Sequence, residues 1–319
     1  MQGPIGARLV QLVPTIFLVS IIVFALQQLM PGDPAVLLAG ESAGNPHVVA
    51  QIRDQLLLNR PLWVQYLHWM DGVLHGNLGY SWRLSEPVSA MIAQKLPVTL
   101  QLSVMAFFFA VVIGVPAGVV SAVKQGTAWD WAANAIGLSG LSIPNFWLGI
   151  VLILVVSVDL GWLPPSGYVS LARDPLRSIE TTIMPAFVLG NAIAAILMRH
   201  TRSAMLQALA QDYVRTARAK GLSEWVVVLK HALRNSLVTV ATVIGLQFGI
   251  LLSGVAVTEE VFGLPGIGQL TINAVFQRDY PTIQAVALLT AALVILINLL
   301  MDFVYMILSP KVRLAGEPG

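Results

Sequence analysis

Cysteine is missing from all 319 residues, which rules out disulfides, thiolate metal sites and a cysteine nucleophile. Charge is almost as scarce. Only 11% of residues are Asp, Glu, Lys or Arg, against about 25% in a soluble domain. So few ions cannot cover a water-facing surface, so much of the chain must face lipid or other apolar helices. No G-x-x-x-x-G-K-[ST] run occurs, so the loop that cradles nucleotide phosphates is lacking. The five histidines (His47, His68, His75, His200 and His231) show no H-E-x-x-H spacing and lie outside the long apolar runs. No catalytic residue and no metal site are expected, which leaves an intramembrane enzyme without support. The net charge of +2 is too small to hold nucleic acid.

What is abundant is apolar sequence, 56% of residues, with a mean hydropathy of +0.78. A spanning helix needs about 20 mostly apolar residues. Six segments qualify: 9–29, 97–123, 131–158, 182–198, 238–258 and 282–301, none containing Asp, Glu, Lys or Arg. The fourth is short and holds Pro185 and Asn191. The first follows Arg8 as a signal peptide would. Its apolar run exceeds the roughly 7–15 residues of a signal core and no small-x-small site closes it, so it reads as a retained helix. The expected fold is an all-α membrane protein of six spans. Its parts are a first span in 1–30, an external segment at 31–96, a five-helix core at 97–310 and a tail at 311–319.

Lys and Arg in the flanks set the orientation. With the N-terminus inside, the cytoplasmic side receives 11 of the 18 basic residues against five acids, a net +6; the other side is net −4. Both termini and the loop at 199–236 are therefore expected in the cytoplasm of a cell with an inner membrane. The external segment carries helix-like stretches at Val48–Leu58 and Leu62–Leu74, broken by Asn59-Arg60-Pro61. Its aromatics Trp63, Tyr66, Trp69, Tyr80 and Trp82 either build a folded cap or sit at the lipid interface.

The 199–236 loop is the most informative stretch. Thr201 to Lys220 reads as a helix with an apolar stripe at Met205, Leu206, Leu209, Tyr213 and Ala217. Gly221 stands where a helix end wants a left-handed residue, after Arg218 and Lys220, which suit the negative end of the dipole. Ser223 is placed to cap a second helix, Glu224 to Arg234, with Trp225, Val228 and Leu229 on one side. Such a hairpin either lies on anionic headgroups or docks as a lever into another protein.

The run Asp212-Tyr-Val-Arg-Thr-Ala-Arg-Ala-Lys-Gly-Leu222, followed by His231-Ala-Leu-Arg-Asn235, resembles the EAA loop of ABC-importer permeases, and more narrowly that of the dipeptide, oligopeptide and nickel family. Arg215 and Arg234 stand where the general pattern has an acid and a proline, as is usual in the peptide subfamily. Further resemblances follow in the family's order. They are Pro31-Gly-Asp-Pro34, Arg60 to Tyr66, Gly76 to Ser81, Ser142-Ile-Pro-Asn-Phe146, Leu163 to Tyr168, and Glu259 to Gly268 with Arg278 to Pro281. The likeness is greatest to the first of the two dipeptide permease subunits.

The resemblance implies a type I importer permease that moves short peptides, or else nickel chelates, glutathione or another peptide-like solute. It implies a second homologous permease, two ATP-binding subunits that hold ATP and Mg, and an external substrate-binding protein, with no cofactor on this chain. The coupling helix would comprise Asp212, Tyr213, Arg215, Thr216, Ala217, Lys220, Gly221 and Leu222. Gln101, Ser142, Asn145, Asn191, Thr242, Gln247 and Ser253 either line the path or bond helix to helix. Glu259, Gly263, Pro265, Gly266 and Gly268 form either an external gate element or a plain connecting loop. An ion-coupled carrier is the rival of another class, disfavoured because it needs ionisable groups in its spans.

Overall fold

The computed structural model describes residues 4–29, 32–40, 44–81 and 83–308, with side chains except at 4–13, 26, 27, 29, 37, 38, 238, 248–250, 252–254 and 302–308. The tail at 311–319, Pro31, Trp82 and the side chain of Ser253 lie outside the described residues. The chain divides into two compact units, one of Met1–Pro97 with Gln269–Ile295, the other of Val98–Gly268 with Leu296–Gly319.

In the first unit α1 (Pro4–Leu29) is followed by α2 (Pro34–Ala39), α3 (Pro46–Gln55) and α4 (Leu62–Leu74). The helix expected at Val48–Leu58 starts two residues early because Asn45 caps it. Its side chain accepts the His47 amide at 3.1 Å, and Pro46 fills the first helical position, where no amide partner is needed. It ends at Gln55, and Leu57 then takes a φ of 55°. Tyr66 and Trp69 on α4 pack against α1: Phe24 lies 5.5 Å from Tyr66 and 5.9 Å from Trp69 between ring centres, and the Tyr66 hydroxyl meets Ser20 at 2.8 Å. These two aromatics pack along the side of α1, level with the middle of its apolar run, whereas Trp63 stays exposed. Two short antiparallel strands, β1 (Tyr80–Ser81) and β2 (Glu86–Pro87), pair Tyr80 with Pro87. Asp279 holds this hairpin to the start of a later helix by accepting from Ser81 at 2.5 Å and Thr282 at 2.7 Å. A cavity of about 510 Å³ in this unit is lined by Phe24, His68, Trp69, Tyr280 and Gln284 among others.

The remaining helices are α5 (Val88–Val123), α6 (Ala128–Ser142), α7 (Asn145–Leu152, continued as a π-helix over Ile153–Asp159), α8 (Pro175–Leu209), α9 (Asp212–Ala219), α10 (Glu224–Val226, then π-helical over Val227–Leu233), α11 (Arg234–Phe262), α12 (Ile267–Gln277) and α13 (Tyr280–Leu308). Three helices among the described residues are long and apolar enough to cross a membrane, Val88–Val123, Pro175–Leu209 and Tyr280–Met301, and five if each of two bent pairs is one span.

Three expected spans change shape. The segment at 131–158 is not one rod: Ala128–Ser142 and Asn145–Asp159 meet at 102°. Pro144 supplies no amide and holds Ile143 extended at ψ 121°, so the helical ladder cannot pass it. The short fourth segment is the middle of a 35-residue helix that runs through Pro185. The fifth lies within α11, which continues to Phe262 and so carries Glu259 and Glu260 on the same helix.

Apolar pattern cannot orient α5, because it is apolar on all sides. Small residues do. A Cβ at Gly114 would lie 2.5 Å from the Ala194 carbonyl oxygen and one at Gly118 2.6 Å from that of Met198, so α8 approaches as closely as backbone allows. Leu102, Leu197, Val240, Val255, Phe262 and Leu264 belong to the core that results. Leu100, Val104, Phe108 and Val112, four apart along α5, are left uncovered by this chain, as a face toward lipid or another subunit would be.

Candidate functional site

The helix expected over Thr201–Lys220 is two helices. α8 runs on to Leu209, Gln211 is extended (φ −76°, ψ 152°), and α9 starts afresh at Asp212. Val214 and Ala217 turn inward and pack with Val227 and Leu209; Ala217 is only 5% exposed. Asp212, Tyr213, Arg215, Thr216 and Lys220 face outward. The stripe read from sequence is thus divided, Met205 and Ala217 buried and Tyr213 exposed.

Gly221 has the positive φ its position called for, 76°. Its amide bonds the Arg218 carbonyl at 2.9 Å and that of Leu222 the Ala217 carbonyl at 3.4 Å, the paired bonds that close a helix on a left-handed residue. Ser223 precedes α10 but makes no capping bond through its side chain. Arg218 clasps Glu224 across the turn instead, Nη2 to Oε1 at 2.6 Å and Nε to Oε2 at 3.1 Å. That fork holds the Glu224 carboxyl below its ordinary value and raises Arg218. The second helix does not stop at Arg234 but passes through the π-helical stretch into α11. Val228 is buried there, while Trp225 is 73% exposed, so the three apolar residues do not share one covered face. Tyr213, Leu222 and Trp225 therefore stand out of a basic turn.

A second cluster surrounds Glu259, which is fully buried. Thr99 on α5 donates to Glu259 Oε1 at 2.6 Å and accepts the Ile267 amide at 2.8 Å. Gly263 ends α11 in the left-handed region, Leu264 returns its amide to the Glu259 carbonyl at 2.8 Å, and α12 starts at Ile267 after Pro265. A Cβ on Gly266 would collide with the Glu259 carboxyl group, and one on Gly268 with the backbone of Ala256. The segment is a packed turn joining three helices.

The polar residues of the spans have varied surroundings. Gln101 donates to Ser178 at 2.9 Å and to Thr182 at 3.3 Å and accepts from Tyr168 at 3.0 Å, a bridge between α5 and α8. Ser142 is exposed and bonds the Leu138 carbonyl of its own helix at 2.9 Å. Asn145 opens α7, and Asn191 fills the space left by Gly140. Thr242 is exposed and Gln247 half-buried. Sequence reading missed Thr99, which nothing local distinguishes, and an ion pair between Asp130 and Arg202, read there as flanking charges.

Bent and unbroken apolar helices joined by buried polar ties define an α-helical integral membrane protein. The chain belongs to the family of binding-protein-dependent transport system inner membrane components, matched over residues 114–314, with the N-terminal membrane component of the same systems matched over 4–103. It is 42% identical to the dipeptide transport system permease protein DppB of Escherichia coli K12, covering 96% of this chain and 97% of that one. It is 43% identical to the di/tripeptide transport system permease protein DppB of Pseudomonas aeruginosa, covering 97% and 98%. Its fold is similar to that of the inward-facing MetNI methionine ABC transporter, with a TM-score of 0.56 at 22% identity over 69% of this chain and 96% of that one. The chain is an inner-membrane permease subunit of an ABC importer, a transport subunit and not an enzyme, which works with a separate ATPase and a binding protein.

Proposed function

We propose that this permease carries short peptides inward through a path it shares with a second, homologous permease. The observation that carries the reading is the 42% identity to a dipeptide permease across 96% of the chain. Six spans with both termini in the cytoplasm fit the charge asymmetry and the helices at all six apolar segments. In that orientation the 212–225 turn projects into the cytoplasm, where it exposes the apolar Tyr213, Leu222 and Trp225 together with the basic Arg215, Arg218 and Lys220. It docks into one of two ATPase subunits, which bind ATP and Mg. The Glu259–Gly268 turn lies at the opposite end, beside the mouth that the binding protein addresses, and acts as a gate element. Gln101, Ser142, Asn145, Asn191, Thr242, Gln247 and Ser253 are candidates for the uncharged lining of the path.

Uptake of labelled dipeptides by a strain lacking this gene tests the reading. Uptake should vanish, and return with the gene only while its ATPase and binding-protein partners are present. Undiminished dipeptide uptake in the deletion strain, with loss of a nickel chelate or glutathione instead, would overturn the peptide assignment.

A further inference from the structure

Asp130, in the first turn of α6, is only 6% exposed although it carries a charge. Its carboxylate is held from every side. Arg202 of α8 donates Nε to Oδ1 and Nη2 to Oδ2, both at 3.0 Å. Ser121, near the end of α5, donates to Oδ1, Asn134 to Oδ1 at 2.7 Å, and the Gly126 amide to Oδ2 at 2.9 Å. Three helices and the turn between two of them thus meet on one carboxylate.

The 212–225 turn is joined to the same place. Beside Ser121, Ala122 packs with Met205 and Ala208 of α8 and with Val228 and Ala232 of the π-helical stretch that leaves the turn. In the other direction α6 is laid tightly on α8, Gly137 against Met198 and Gly140 against Asn191. Beyond the 102° bend, Gly149 of α7 meets Phe262, three residues past Glu259. The two kinds of joint behave differently. An apolar seam lets helices slide and roll. A bidentate guanidinium–carboxylate fork fixes direction, and parting it strands a buried charge.

We propose that Asp130 and Arg202 are positioning residues for transport: through their ion pair, movement of the 212–225 turn turns α6 with α8 and so moves the bent α6–α7 pair. The inference rests on the docking role proposed above for that turn.

The test uses the complete transporter, with both permeases, ATPases and binding protein, in membranes. Asp130→Asn removes the charge but keeps an acceptor, and Arg202→Lys keeps the charge but loses the fork. For each, membrane abundance, peptide-stimulated ATP hydrolysis and uptake per ATP hydrolysed are measured. Uptake per ATP should fall about five-fold or more, the low end of ordinary coupling strengths, while stimulated hydrolysis persists. A mere stabilising role would lower uptake and hydrolysis together in step with abundance, and an unchanged ratio in both variants overturns the proposal. Should Asp130→Asn fail to accumulate, the ratio in Arg202→Lys decides. Leu222→Asp in the same membranes separates the two readings. If it leaves stimulated hydrolysis intact, the docking role fails and the joint with it. If it abolishes stimulation while the ratio holds in the other variants, the joint alone is wrong.

Discussion

Thr99 donates its hydroxyl proton to Glu259 at 2.6 Å while accepting the Ile267 amide at 2.8 Å, so one side chain ties α5 to the end of α11 and the start of α12. The hydroxyl serves as both donor and acceptor in a place from which water is excluded. Replacing it with a group of the same shape but no polarity removes both bonds at once. Thr99→Val should lower stability by roughly 1–3 kcal/mol, read as the unfolding midpoint of the purified permease in lipid nanodiscs. Thr99→Ser, which keeps the hydroxyl, should lie near the natural protein; equal loss in both variants would point to packing of the methyl group instead.

Gly266 is required by its neighbour more than by its backbone. A side chain there meets the Glu259 carboxyl group. Gly266→Ala should therefore destabilise by about 1–3 kcal/mol, the usual cost of overpacking. Shortening the neighbour should relieve it. In a double-mutant cycle, adding Glu259→Ala should make the alanine at 266 cost markedly less, and strict additivity would refute the contact.

On the 212–225 turn, inward and outward residues should fail differently. Ala217→Asp places a charge in the small core with Val214 and Val227, costing several kcal/mol, and should lower membrane abundance. Gly221→Val meets no atom within 4 Å, so its cost is backbone strain of roughly 1 kcal/mol or more, with a tilted second helix. Trp225→Ala touches neither core nor backbone. It should leave abundance normal yet reduce transport-linked ATP hydrolysis; full activity would remove Trp225 from the docking surface.

Natural absence of cysteine makes single-cysteine labelling direct. Ser85, Ser170 and Ser223 are all exposed, so their reactivity reports the side of the membrane rather than burial. Cysteines at 85 and 170 should react with an impermeant maleimide added outside, and one at 223 should react only after the membrane is opened. Labelling of 223 in intact cells would reverse the orientation.

Arg218 and Glu224 give the turn a pH dependence of definite sign. The folded value of Glu224 is depressed by its bond to Arg218. The pair's contribution is therefore complete above the ordinary carboxylate range and is lost as pH falls through the depressed folded value. Both side chains are about half exposed, so the effect is small and salt weakens it. Arg218→Gln should lower the unfolding midpoint slightly at neutral pH, with the difference shrinking in acid and in high salt.

Several local features could be read from the chain alone because their causes lie within a few residues. Hydropathy marked the helices, and Gly221 could be placed in the left-handed region from its position after Arg218 and Lys220, whereas the helix-like stretch from Val48 overlooks the start of α3 at Asn45-Pro46. Other features were visible but masked. Pro144 sits in an apolar run long enough to hide the bend it causes, and Gly114 and Gly118 are spaced to face one neighbour, yet nothing in the run names that neighbour. The stripe from Met205 to Ala217 misled because the helix it assumed is interrupted at Gln211. Within α9 the covered face is set by Val214 and Ala217, three apart, and Tyr213 falls beside it rather than on it.

By itself the sequence determined that the chain lives in a membrane, which segments are apolar enough to be helices, and that it holds no phosphate-binding loop. Each of these follows from composition or from neighbours along the chain. Only the tertiary structure decided which faces are buried and which charges meet. A helix apolar on every side carries no period by which to orient it, so close backbone approach at Gly114 and Gly118 sets the packing instead. Thr99 meets Glu259 across 160 residues and Arg202 meets Asp130 across 72. In a chain with so few ions, a buried charge has to find its partner wherever the packing of helices brings one, and that position is a property of the fold.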